Sequence, residues 1–184
     1  MKLYCNIFFL RHLKTKNNIL HIISGQSDSE IVSENYMKED FNKFDRIYCS
    51  PAIRCKRTID LLAYGPFGTD NIIYDERLLE RNMGNLEGVS KKEIRTVYLD
   101  LFENGSFNVF KTPPNGENYE CFKNRVNDFY SELSSINIPL KILVCSHNQT
   151  LKLLRLLILE KEITNQTWSE YSFKNGVIDE ICKC

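Results

Sequence analysis

No apolar run in this sequence approaches the ~20 residues that a membrane-spanning helix needs, so no membrane segment is expected. Net charge is absent too, since Lys+Arg and Asp+Glu both number 24. That balance removes the basic field on which non-specific nucleic-acid binding depends, yet a few arginines could still converge on one local anion. The seven cysteines are odd in number and include no CxxC pair, which points away from a disulfide scaffold and toward reduced thiols acting as small buried hydrophobes. Cys182 and Cys184 alone make an incidental pair rather than a metal site. The apolar run Leu3 to Leu10 is too short, and too soon followed by Arg11, His12, Lys14 and Lys16, for a signal peptide. A cytoplasmic protein is expected. Repeats, low-complexity tracts and linkers are also missing, and 184 residues suit a single domain over 1–184.

What the sequence does contain is alternation. Strand-like runs rich in Ile, Val, Tyr and Phe fall at 3–10, 45–49, 71–74 and 140–145. Two shorter runs, 167–173 and 177–182, are expected to finish the sheet, with Asn175-Gly176 as the turn between them. Helices fall between the strands. Tyr119, Phe122, Val126, Phe129 and Leu133 draw one apolar stripe. Ala52 to Ala63 reads as a helix with Pro51 in its first turn, and Leu151 to Leu159, apolar nearly all round, as a buried one. The pattern predicts an α/β fold, a three-layer αβα sandwich with a mostly parallel central sheet. The segment 104–118 is the main loop, long enough to be functional or mobile.

Two of the strands end in histidine. Arg11-His12 closes the first, and His147 follows Ile142-Leu143-Val144-Cys145-Ser146. In open α/β sheets the carboxyl edge of the strands is where ligands bind, and an arginine beside an imidazole favours a phosphate. Phosphoryl transfer to an imidazole requires fixed cations to offset the phosphate charge, and arginine's planar fork suits that task. A carboxyl must also protonate the leaving oxygen and later activate water. Arg54 follows the second strand and Glu80 the third. His21 reads as a surface residue, Arg77, Arg81 and Glu87 as surface groups or supports behind the site, and Lys56 and Arg57 as a solvated helix face.

Four segments, in order, resemble the histidine phosphatase superfamily, the phosphoglycerate-mutase-like proteins: Arg11-His12-Leu13-Lys14-Thr15-Lys16-Asn17-Asn18, Ser50-Pro51-Ala52-Ile53-Arg54, Leu78 to Gly88, and Val144-Cys145-Ser146-His147. Ser24-Gly25, Asn115-Gly116-Glu117 and Asn175-Gly176 are weaker echoes. The resemblance implies that His12 is the phosphorylated nucleophile, that Arg11, Arg54 and His147 bind the phosphate, and that Glu80 is the proton donor. Asn18 and the backbone N–H of Asn148 would add phosphate contacts, and Ser24 and Gly25 would touch substrate. It implies no metal and no cofactor, and a small phosphorylated substrate as the one partner. Oligomeric state is left open.

This sequence departs from the family's pattern at its glycines. Leu13 and Asn148 stand where the family has Gly, and Lys14 where it usually has Glu. Asn148 could keep a glycine-like backbone, whereas positive φ at Leu13 would cost about 1–2 kcal/mol. The stretch between Ser29 and Phe44 is short for the family's first helix. The compact interval between Glu80 and His147 resembles the shorter phosphatase branch, so a phosphomonoesterase working through a phosphohistidine is expected. A phosphoglycerate-mutase-type transferase and a catalytically weak phospho-ligand-binding domain are the alternatives.

Overall fold

The computed structural model describes residues 4–32, 36–64, 69–103 and 105–182. Leu3 of the first expected strand, residues 33–35 of the short stretch before Phe44, Asn104 of the loop and Cys184 lie outside these residues.

Seven strands are present among the described residues: β1 (Asn6–Arg11), β2 (Arg46–Cys49), β3 (Ile72–Tyr74), β4 (Phe102–Glu103), β5 (Ser106–Phe107), β6 (Lys141–Ser146) and β7 (Ile178–Cys182). The helices are α1 (Lys16–Ile19), α2 (Ile53–Leu62), α3 (Lys91–Val97), α4 (Tyr119–Ser135), α5 (Asn148–Ile158) and α6 (Asn165–Glu170). The main sheet runs β3-β2-β6-β1-β7. Its first four strands are parallel, and β7 closes the edge antiparallel to β1. Strands β4 and β5 form a separate hairpin.

Period-two alternation sorts the strand side chains into two layers of core. Ile7, Phe9, Tyr48, Ile142 and Val144 pack with the α4 stripe and with Leu151, Leu153 and Leu154 of α5. Leu10, Ile47, Cys49, Leu143 and Cys145 face Cys55, Ile59 and Leu62 of α2. Helices therefore cover both faces, and the expected αβα sandwich is the observed fold. Cys5, Cys49, Cys55 and Cys145 are free and buried, as their apolar contexts suggested.

Three local expectations need correction. The run 167–173 is not a strand. Thr164 caps α6 there through a reciprocal capping box with Thr167, and the helix buries Trp168; the aromatic and β-branched residues that read as strand pack from a helix instead. Pro51 lies before α2 rather than in its first turn, since Ala52 is the N-cap. Finally, α5 starts earlier, at Asn148, and is not buried all round: Leu157 and Ile158 are half-buried.

All four parallel strands end at one edge, and backbone bonds tie their continuations together there. His12 N donates to Ser146 O (3.0 Å), Ser50 N to Cys145 O (2.9 Å) and Asp75 N to Cys49 O (3.0 Å). From the β7 side, Gly176 N donates to Arg11 O (2.9 Å) and the Asn175 amide to His12 O (2.8 Å). This edge carries the site.

Candidate active site

The ring of His12 is buried, and its Nδ1 lies 2.7 Å from the carbonyl oxygen of Leu13. A carbonyl can only accept, so Nδ1 carries the hydrogen and Nε2 keeps the free lone pair. Burial, then the charges of Arg54 and Arg11, push the imidazole down to about 3. His12 is therefore neutral at ordinary pH. The peptide that orients it is fixed in turn, because Leu13 N donates to Thr58 Oγ1 (2.8 Å), and Thr58 donates back to Arg54 O (2.6 Å).

His12 lines a cavity of about 120 Å³ together with Arg11, Asn18, Ser24, Gly25, Arg54, Glu80 and Asn148. The structure thus brings eight of the nine expected site residues around one space. Arg11 spends one nitrogen on Phe173 O (2.9 Å), while its Nε is buried with no hydrogen-bond partner. Asn18 accepts at Oδ1 from Thr15 N (3.1 Å) and the Asn175 amide (3.3 Å), which leaves its NH₂ end for a ligand.

Arg54 is almost fully buried and holds the loop at 24–28. Its NH2 group donates to Gly25 O (2.6 Å) and its NH1 group to Ser27 O (2.7 Å). Glu87 grips the same loop from the other side, accepting from Gln26 N (2.9 Å) and Ser27 N (3.0 Å). Gly25 adopts φ +51°, and a Cβ there would fall 2.1 Å from Glu87 Oε1, so only glycine fits. Glu87 is a support of the loop rather than a surface group.

The ninth residue, His147, is fully buried behind the cavity and does not line it. Its ring stands 5.3 Å from that of His12. Arg54 Nε donates to its Nδ1 (3.2 Å), so Nε2 carries the hydrogen and meets Ser50 Oγ at 2.9 Å. Burial and Arg54 hold this imidazole well below the usual histidine range. Both nitrogens are thus committed to the protein, and His147 orients Arg54 here rather than facing the cavity.

Glu80 reaches the N-terminus of α5, where the N-cap His147 offers no side-chain cap. Its Oε2 accepts from Gln149 N (3.2 Å), and its Oε1 from Thr150 N and Thr150 Oγ1 (both 3.2 Å) and Arg81 N (3.1 Å). Exposed N–H groups and the helix dipole make this end a natural seat for a carboxylate.

The departures at the glycine positions find a structural answer. Neither Leu13 nor Asn148 has positive φ. Asn148 is simply the first residue of α5, and its Oδ1 accepts from Phe173 N (3.1 Å). Leu13 turns away from the cavity into the core with Phe41 and Ile47. Room for it comes from Gly176, where a Cβ would fall 2.5 Å from Leu13 Cδ2. Lys14 is exposed and does not line the cavity.

Several residues of the site were not singled out in the sequence. Ile22, Ile23, Met83, Lys91 and Gln149 also line the cavity. Lys91 directly follows the Ser90 cap of α3, and burial with Arg11 nearby lowers its ammonium from the usual value. Arg81 is no surface group: it is fully buried and grips the carbonyls of Val109 (2.6 Å), Lys111 (2.8 Å) and Glu117 (3.0 Å). It fastens much of the loop that was expected to be functional or mobile. Among the described residues, no cluster of three or more His, Cys, Asp or Glu is arranged to hold a metal ion, and no helix is long and apolar enough to cross a membrane.

Comparison with known proteins agrees with this architecture. The sequence profile of the histidine phosphatase superfamily (branch 1) matches residues 7–181. The chain belongs to that superfamily. Within the histidine phosphatases it is similar to the 2,3-bisphosphoglycerate-dependent phosphoglycerate mutase of Cytophaga hutchinsonii, 27% identical over 167 residues (84% of this chain, 77% of the relative). It is also similar to the fructose-2,6-bisphosphatase TIGAR of Bos taurus, 32% identical over 137 residues (69% of this chain, 50% of the relative). The crystal structure of the alpha-ribazole phosphatase from Shigella flexneri shares the fold, with a TM-score of 0.72 at 19% identity over 94% of this chain and 88% of that one. The superfamily's relatives of this chain are thus phosphatases and phosphoglycerate mutases.

Proposed function

We propose that this histidine phosphatase is a metal-independent phosphomonoesterase that hydrolyses a small phosphorylated metabolite through a phosphohistidine on His12. The observation that carries the reading is the fixed, neutral imidazole of His12, with Nδ1 held by Leu13 O, in a cavity that Arg11 and Arg54 also line. Nε2 attacks phosphorus and the ester P–O bond breaks. Glu80 gives its proton to the departing oxygen. The resulting carboxylate then takes a proton from water, the water oxygen attacks phosphorus, and the P–N bond breaks to release phosphate. Arg11, with its unpartnered Nε, and Arg54 offset the phosphate charge; His147 supports Arg54 from behind.

Trapping tests the reading. Brief exposure to ³²P-labelled substrate should give an acid-labile, alkali-stable label on the native protein and none on His12→Asn, whose turnover should drop by roughly 10⁴-fold or more. Near-normal turnover in the variant would end the covalent mechanism. A mutase-type transfer is the second reading, favoured by Lys91 on the cavity wall, which could hold a second anionic group. It requires the labelled phosphoryl group to pass to a phosphoglycerate faster than to water.

A further inference from the structure

Arg125, on α4, has all five of its N–H bonds committed. Nε and NH2 form a bidentate pair with the Glu117 carboxylate (2.7 and 2.9 Å). NH1 donates to Arg77 O and Leu79 O (both 2.8 Å), and NH2 donates again to Glu80 O (3.1 Å). Three of the five bonds therefore hold the main chain that carries Glu80. Glu117 completes the grip from the far side. Its Oε2 accepts from Asn82 N (3.3 Å), its own N–H donates to Asn82 O (2.9 Å), and Arg81 holds its carbonyl. The pair is sheltered, with side chains 19% and 14% exposed, so solvent screens it less than a surface ion pair.

Accepting Glu80 as the acid, we infer that Arg125 and Glu117 are positioning residues for it. The backbone of 77–82 is pinned to α4, while the Glu80 carboxylate ends on the N-terminus of α5. Helices α4 and α5 pack in one core cluster, so the span between these two anchors is fixed by the fold. The acid is stretched between them rather than free to swing. Misplacement of about 1 Å at a reacting group can cost on the order of 10²-fold. Neither Arg125 nor Glu117 lines the cavity, so the pair would act through Glu80 alone.

Leaving-group dependence separates positioning from mere support of the fold. kcat/KM is measured for p-nitrophenyl phosphate, whose leaving group needs little protonation, and for phenyl phosphate, which needs more. Glu80→Gln, Glu117→Gln and Arg125→Lys are compared, with thermal melts to confirm folding; Glu117→Gln, which keeps an acceptor for Arg125, serves if Arg125→Lys does not fold. Expected is a phenyl-to-nitrophenyl ratio lowered about tenfold or more in each variant, with nitrophenyl kcat/KM within about threefold of native in Glu117→Gln and Arg125→Lys. Glu80→Gln combined with Glu117→Gln should lower the ratio no further than Glu80→Gln alone. If Glu80→Gln lowers the ratio and folded Glu117→Gln leaves it unchanged, or slows both substrates equally, the pair does not position the acid. If Glu80→Gln itself leaves the ratio unchanged, the acid reading has failed and the positioning role falls with it.

Discussion

Arg54 presents its Nε–H to Nδ1 of His147 across 3.2 Å. Protonating that imidazole would set a second N–H against a guanidinium, and His12 beside it faces the same cation. His147 is held well below its ordinary range and His12 at about 3, in both cases chiefly by burial. An unfolded histidine titrates near ~6.5, so from there down to about 3 the unfolded chain binds protons that folded His12 does not. This contribution to stability is constant above pH ~6.5 and declines as pH falls, by about 1.4 kcal/mol per unit for each histidine. Denaturant unfolding between pH 7.5 and 4.5 should show the decline, and His12→Asn should flatten its slope by about half of the two-histidine total. A slope that His12→Asn leaves unaltered would place the acid sensitivity elsewhere.

Glu80→Gln removes the ionisable carboxyl but keeps one acceptor oxygen for Thr150 and Arg81, at the cost of the bond from Gln149 N, so thermal melts accompany the assay. In kcat/KM, which reports the phosphorylation step alone, alkyl phosphates such as O-phosphoserine should slow by about 10²-fold or more and p-nitrophenyl phosphate far less, while kcat, which includes the shared hydrolysis step, falls for both. Equal losses of kcat/KM on both substrates would mean that the carboxylate holds the α5 terminus and that the acid lies elsewhere. Glu117, committed to Arg125, is poorly placed to replace it.

Activity should persist in excess EDTA. Arg11, Arg54 and Lys91 already supply positive charge around the cavity, which is the role a divalent ion would otherwise fill. Loss of turnover restored by Mg²⁺ or Zn²⁺ would require a different mechanism.

Gly176 has φ +71°, and its missing Cβ would meet only the tip of the Leu13 side chain. Because that tip can shift, the backbone term dominates, and Gly176→Ala should destabilise the protein by about 1–2 kcal/mol. Because Leu13→Ala itself costs about 2–5 kcal/mol, the double variant is compared with Leu13→Ala alone, and Gly176→Ala should cost about the same in that background as in the native one. A Gly176→Ala cost that vanishes in the Leu13→Ala background would show that steric contact, not backbone strain, governs the site.

The sheet and most of the site were legible because each chemical group sits within a few residues of a strand end. Arg11, His12, Arg54, Glu80 and His147 could be ordered along the sequence by the apolar runs before them. Contacts made across the fold left no such mark. Leu13 reads as a costly departure from a glycine position, since nothing local shows that Gly176 makes space for it. The motif gives His147 its position beside His12 but not its ring's bonds to Arg54 and Ser50. Arg125 was hidden beside the Phe122–Val126 stripe, where the one clue is a charged side chain at the margin of a buried face. Helix α6 was misread because its aromatic content resembles a strand, while the decisive signal was Thr164 three residues before Thr167.

The strand that leads into His12, β1, lies between β6 and β7, and its register begins with Asn6 opposite Lys141. Among the described residues, the first strand is therefore sealed by the last two. Pairings this distant in sequence close slowly, and they cannot form on a ribosome until β6 and β7 have emerged. Until then the Ile7–Leu10 edge has no partner and the imidazole no pocket. The pocket around His12 can close only after β6 and β7 have joined β1.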